Sequence, residues 1–426
     1  MATETIAPSR SAATRVAHAE GRLVHPDDYA DHGYPHDVWT RLRREDPVHW
    51  YERTEGPPFW AVTKHADIVE VSKRPDVFLN GPMLVIPHLP EQQNDPRFPP
   101  TLIQLDPPKH GIYRQLISKR FTPRYLRSMH ADIERIGKEI VDKLAVNGGR
   151  GECDFVNEVS KPLPIAVIAW MLGVPREDWE KLFDWTNRTI GAGDPEYQEA
   201  GKTPQETALA AMTELFMYFA RLVEEKKQNP GDDLISAFIA ARVDGEPLPP
   251  MDLLAYCLII VVAGNETTRN ATTGGMLAFI ENQAELRKLQ ANPALLAPAV
   301  EEVVRYSSPI IHFARTAVAD YELRGKQIRK GDVLGLFYPS ANRDEEIFDD
   351  PNAFRIDRDP NPHLGFGIGE NFCLGSHLAR LELMVAFKHL LPRIEEIELA
   401  GPTSRLHSAL VGGVKHLPIR YKLKKS

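Results

Sequence analysis

The stretch His363-Leu-Gly-Phe-Gly-Ile-Gly-Glu-Asn-Phe-Cys-Leu-Gly-Ser-His-Leu-Ala-Arg380 constrains this chain more than any other. Gly365, Gly367 and Gly369 permit a tight backbone excursion that side chains would block. Cys373 follows, and Gly375 lets the chain run close against something flat. A helical pattern starts directly after the cysteine. Free N–H groups of its first turn and the positive end of its dipole are therefore expected to face the sulfur and favour the thiolate. A lone cysteine is most often a small buried side chain, which is how Cys153 and Cys257 read. The skeleton Phe366-x-x-Gly369-x-x-x-Cys373-x-Gly375 is different. In a chain of this composition it would arise by chance roughly one time in two thousand.

Composition bounds the rest. Of 426 residues, 42% are hydrophobic, enough for a large core. The net charge of -8 argues against non-specific nucleic-acid binding, which needs a basic footprint. Three widely separated cysteines give neither a disulfide frame nor a zinc site, and they point to a reducing cytoplasm. The segment Met1–Gly21 lacks the apolar core of a signal peptide. The longest near-continuous apolar run, Leu253–Ala263, is too short to span a bilayer. A soluble, unanchored protein is expected.

Along the chain, helical periodicity dominates. Residues 1–20 read as a flexible lead-in, and residues 21–426 as a single domain. Phe59–Thr63 reads as a short strand, and His65–Arg74 as a short helix ended by Pro75. The proline-rich stretch Asn80–Pro108 is too long for an ordinary connection and reads as a functional loop. Helical patterns cover Gly111–Leu144, interrupted at Pro123, and alternate from Phe155 to Arg242. Pro249-Pro250 opens a long helix reaching about Asn282. Further helices are expected over Ala297–Tyr306 and Leu374–Leu391, with short strands between them and from Gly401 to Lys422. The class is mainly α with a minor β region.

The cysteine segment resembles the haem-binding loop of the cytochromes P450, and further motifs follow in that family's order from Asp106 to Pro418. The resemblance implies the cytochrome P450 fold, with haem b (iron protoporphyrin IX) between the long central helix and the cysteine-loop helix. It implies that Cys373 ligates the iron and that Gly264, Phe366 and Gly367 lie against the cofactor. Ala263-Gly-Asn-Glu-Thr-Thr268 interrupts an otherwise apolar helix with polar groups, which need partners when buried. It resembles the family's acid–alcohol pair. By that match Thr267 bonds oxygen held at the haem, in an opened helix turn, and Glu266 relays protons. His110 and Arg114, four apart on a helix, and Arg315 match the family's propionate partners. Asn371 stands where His or Arg is usual and retains one neutral donor. Glu302, Arg305 and Arg358 match a buried cluster on the cysteine side of the haem.

The implied activity is O2-dependent hydroxylation of an apolar small molecule, such as a sterol, terpenoid or fatty acid. A ferredoxin and its reductase are the implied electron donors to a monomeric, cytoplasmic enzyme with no membrane anchor. Lys109, Lys119, Arg120, Arg124, Arg127 and Arg380 are expected to dock an acidic ferredoxin. Substrate is expected to meet Asn80–Leu105, Gly191–Tyr197, Ile259–Ala263, Ile310–Phe313 and Ala409–Val411. Two other readings compete. A peroxide-driven haem-thiolate enzyme would turn over with peroxide alone. A non-catalytic haem-binding partner would be expected to lose Cys373 or the Glu266–Thr267 pair, and this chain keeps both.

Overall fold

Helix starts follow the proline and threonine punctuation of the sequence. Helix α1 (Lys109–Ser118) ends before Pro123, which occupies the first turn of the next helix, with the Thr122 side chain accepting from Tyr125 N–H. Helix α2 (Pro162–Leu172) is apolar on every face and accordingly buried on nearly all of them. Helix α3 (Pro250–Glu281) has 32 residues and Pro250 in its first turn. Helices α4 (Leu296–Ser307) and α5 (Ser376–Leu390) complete the frame. The computed structural model describes residues 23–53, 56–86, 99–145 and 149–424. The lead-in expected over residues 1–20 lies outside these, as do residues 87–98 of the proline-rich stretch.

Helix α3 is the axis of the molecule, about 48 Å long at 1.5 Å per residue. It packs against α2, α4 and α5. Among the described residues it is the one helix long and apolar enough to cross a membrane, and most of that stretch is buried in the core. The sequence pattern alone marked only an eleven-residue apolar run there, because glycine, threonine and asparagine interrupt it. Those interruptions are the site.

Beside the helices lies a five-stranded sheet of β1 (Val48–Tyr51), β2 (Phe59–Val62), β3 (Phe78–Leu79), β4 (His312–Ala317) and β5 (Val333–Phe337). Its order is β1–β2–β5–β4–β3. Only β2 and β5 run parallel; the others pair antiparallel, with Phe313 opposite Leu336 and Arg315 opposite Leu334. Side chains alternate across a strand, so Phe313 and Arg315 share one face of β4 while His312 and Ala314 share the other.

A buried charge cluster fixes the chain between α4 and the cysteine loop. Glu302, Arg305 and Arg358 are all buried. Arg305 grips Glu302 with two hydrogen bonds of 2.7 Å and reaches the carbonyls of Asn342, Pro351 and Ala353. Arg358 and Asn361 add bonds to the same carboxylate at 3.1 Å. The irregular, proline-containing meander of residues 348–362 is thereby fastened to α4. Neighbouring Glu301 takes Arg380 at 2.6 Å and His363 at 3.1 Å, joining α4 to α5 and to the start of the cysteine loop.

Candidate functional site

The elements enclose a cavity with about 1580 Å³ of free space including its mouth. One wall is the cysteine loop. Cys373 N–H donates to Phe366 O at 2.8 Å, closing the excursion, and Gly367 adopts a φ of 69° that favours glycine. Phe366, Gly367, Asn371, Cys373 and Gly375 all face the cavity. A Cβ built on Gly375 meets no protein atom within 4 Å, so any side chain there would project into free space.

Helix α5 starts at Ser376, with Gly375 as its cap, two residues later than the pattern suggested. Burial dominates the Cys373 thiol and raises its pKa; the Gly375 N–H, Arg114 and Arg380 oppose that rise. The expected thiolate-favouring donor is therefore present but does not prevail over burial by itself, because desolvation penalises the lone charge. Cys257 is fully buried, as expected. Cys153 is only half-buried, in an edge strand, with its thiol pushed up to about 12.

The opposite wall is α3, with Ile259, Ile260, Ala263, Gly264, Thr267, Thr268 and Ala271 on the cavity. The Thr267 hydroxyl donates to Ala263 O at 2.7 Å, within a helix that stays α-helical throughout rather than opened. Gly264 does line the cavity, but its lack of a side chain answers to packing: a Cβ would lie 2.5 Å from Ile168 Cδ1 of α2. Glu266 is not on the cavity wall. It points the other way, in a buried ion pair with Arg269, which also donates to Asn187 Oδ1 at 3.1 Å. Its Oε1 has no partner, and burial raises its pKa despite Arg269.

Around the rim, His110, Arg114 and Arg315 meet as expected. Arg114 donates to Phe372 O at 2.6 Å, and Arg315 to its own strand at Ala314 O, 2.7 Å. Burial lowers the pKa of Arg114, and burial together with Arg114 lowers that of His110. Among the described residues neither arginine has a carboxylate partner within ion-pair distance. Two cations at an apolar cavity without protein counter-charges fit a ligand carrying two carboxylates, as haem does.

Other expectations need correction. Gly191–Tyr197 and Ala409–Val411 are not on the cavity wall. Asp194, fully buried, holds the first segment to Lys415 and to His407 N–H, and Leu410 O pairs with Ile311 N–H. Three of the six candidate docking cations are already engaged: Lys109 with Asp252, Arg120 with Asp232 and Arg380 with Glu301. Glu382 of α5 belongs to the site as well, outside the residues expected from the motifs. It lines the cavity, is buried with both oxygens unpartnered, and burial raises its pKa well above the carboxylate range. An acid on the apolar face shared by Leu378, Leu383 and Phe387 was the signal in the sequence.

Comparison with known proteins agrees with this geometry. The family model described as cytochrome P450 matches residues 29–408. A steroid C26-monooxygenase of Mycolicibacterium smegmatis is 37% identical, over 91% of this chain and 90% of that protein. A methyl-branched lipid omega-hydroxylase of Mycobacterium tuberculosis is also 37% identical, over 90% of each. The structure of a Mycobacterium marinum cytochrome P450 in complex with pseudoionone superposes with a TM-score of 0.86 at 34% identity, covering 96% of this chain and 100% of that one.

Proposed function

The chain belongs to the cytochrome P450 family of monooxygenases, and from that premise we propose that it hydroxylates apolar, lipid-like molecules of the sterol, branched-chain or terpenoid kind. We further assign it haem b, with iron bound by the Cys373 sulfur, and electrons delivered by a separate ferredoxin and reductase in the cytoplasm. The carrying observation is the juxtaposition in one apolar cavity of a cysteine framed by open backbone, an alcohol on the facing helix, and two arginines that have no carboxylate partner among the described residues.

Haem held there supplies O2 activation, with electron density donated by the thiolate. The protein's part follows from its own groups. Arg114, Arg315 and His110 receive the propionates, and Asn371 offers a neutral donor at the same rim. Gly367, Phe366 and Gly264 line the cofactor space. The apolar wall of Leu84, Leu102, Ile103, Ile259, Ile310 and Phe313 excludes water and orients a greasy substrate. Thr267 presents its hydroxyl oxygen to the cavity as an acceptor, its proton donated to Ala263 O, and supplies that proton to the cavity only by turning. Glu266, whose pKa burial raises against the pull of Arg269, is the acid behind the helix and reaches the cavity only by turning away from that ion pair. Glu382 is a second buried acid, on the cavity wall itself.

Support for the substrate class comes from the named activities of the relatives together with the apolar lining. Carbon monoxide added to the purified, reduced protein tests the centre: the Soret band moves to the red-shifted position specific to a thiolate ligand. A band lacking that shift, or protein without iron, ends this reading. Peroxide alone, supplied without reductant, separates it from a peroxide-driven enzyme.

A further inference from the structure

His312, the first residue of β4, is fully buried on the strand face opposite Phe313 and Arg315, and it is not on the cavity wall. Its Nε2 accepts a hydrogen bond from the backbone N–H of Ile86 at 3.2 Å, across 226 residues of sequence. Two residues further along β4, Ala314 N–H donates to Leu84 O at 2.6 Å. The segment Asn80–Ile86 thus continues the edge begun by β3, whose Leu79 pairs with Thr316. One of its bonds is an ordinary ladder bond. In the other, an imidazole stands in for a carbonyl.

The far end of the segment is anchored separately. Asn80 N–H and Gly81 N–H donate to the Asp106 carboxylate at 2.7 and 3.0 Å. Between the two anchors, Leu84 stands in the cavity wall with Ile310 and Phe313. The Ile86 side chain is buried over β5, where a Cβ on Gly335 would lie 2.6 Å from Ile86 Cδ1. A buried N–H needs an acceptor, and imidazole accepts at Nε2 only when neutral with its proton on Nδ1. Burial favours the neutral ring by lowering the pKa of His312 to about 4, with the Ala409 backbone opposing and Arg53 assisting, and the bond from Ile86 selects the tautomer with Nε2 as acceptor. The ring also lies against Phe337, with 5.4 Å between centroids.

We propose that His312 is a positioning residue for substrate, pinning Ile86 so that Leu84 is held at a fixed place in the cavity wall. The proposal rests on the haem-monooxygenase reading and deepens it. No residue of the cavity surface shows it, because the effect passes through the backbone of the pinned segment.

The test compares two iron ligands of different reach, imidazole, which is too small to touch the outer wall, and 4-phenylimidazole, which extends into it. In His312→Phe the ring and its packing remain but the acceptor is lost. Binding of 4-phenylimidazole, followed by the Soret shift, weakens at least fivefold while imidazole stays within twofold. His312→Gln places a carbonyl near the Nε2 position and restores 4-phenylimidazole binding. Parallel changes for both ligands, no change for either, or no rescue by glutamine overturn the proposal. Hydrogen exchange on the unaltered protein decides independently, even where the phenylalanine variant does not fold. The Ile86 amide, which among the described residues alone donates to His312, exchanges as slowly as the amides of β4 if His312 pins it, and as fast as an unbonded loop amide if it does not. A wild-type protein without the thiolate-type carbon monoxide band would sink the haem reading instead, leaving the exchange result to judge the pin.

Discussion

At the scale of single residues, the site depends on what each side chain has already committed. The Thr267 hydroxyl spends its proton on Ala263 O, so it offers lone pairs to the cavity and gives up that proton only by turning. Replacing it with alanine leaves the apolar pocket intact and removes the proton holder. Thr267→Ala is expected to consume reductant at a near-normal rate while peroxide released per product rises severalfold. Normal coupling in that variant would remove Thr267 from the chemistry. Glu301 provides a pH handle. Burial alone would raise its pKa, but bonds from Arg380 and His363 bring it down to about 2. A carboxylate depressed below its ordinary value near 4.3 stabilises the fold fully above that value, and the benefit is lost as pH falls through it toward 2. After allowance for solvent screening the effect is on the order of 2 kcal/mol. Acid titration of haem release checks this: wild type loses haem steeply between about pH 4.5 and 2, and Glu301→Gln shows a flatter profile from a lower starting stability.

At the scale of elements, two attachments position the cysteine loop against the long helix. Glu302, Arg305 and Arg358 bind the meander to α4, and every carboxylate oxygen and guanidinium in the cluster is engaged with protein. Truncating one member leaves a buried charge without its partner, a loss of about 3–5 kcal/mol. Glu302→Ala and Arg305→Ala are therefore expected to accumulate as protein lacking haem, scored by the ratio of Soret to protein absorbance. A variant that loads haem normally and fails only in turnover would contradict the structural role. Helix α3 shows why glycine and threonine interrupt an apolar helix. Gly264 admits Ile168 of α2 at close range, and Thr267 one turn later faces the space that this packing leaves.

At the scale of the whole molecule, the surface charge available for an electron donor is narrower than the sequence suggested. Lys109, Arg120 and Arg380 are tied to carboxylates, whereas Lys119, Arg124 and Arg127 have no ion pair among the described residues. Reversing Arg124 and Arg127 together is expected to slow reduction by an acidic ferredoxin about tenfold at low salt, with the difference shrinking as salt rises. A rate that ignores both changes would move docking elsewhere. Much of this protein was legible before any coordinates. The glycine-framed cysteine, the interrupted long helix and the ordered cations are local patterns, and local patterns survive in a one-dimensional string. They determined the class, the family resemblance and several of the residues that line the cavity, Cys373, Thr267, His110, Arg114 and Arg315 among them. Tertiary structure alone decided which way each side chain faces. Glu266 and Thr267 are adjacent in sequence yet lie on different sides of α3, because a helix turns 100° per residue and Arg269 claims the acid. The bond from Ile86 to His312 entered the site through a contact between distant segments, and such a contact has no signature in the spacing of residues along the chain.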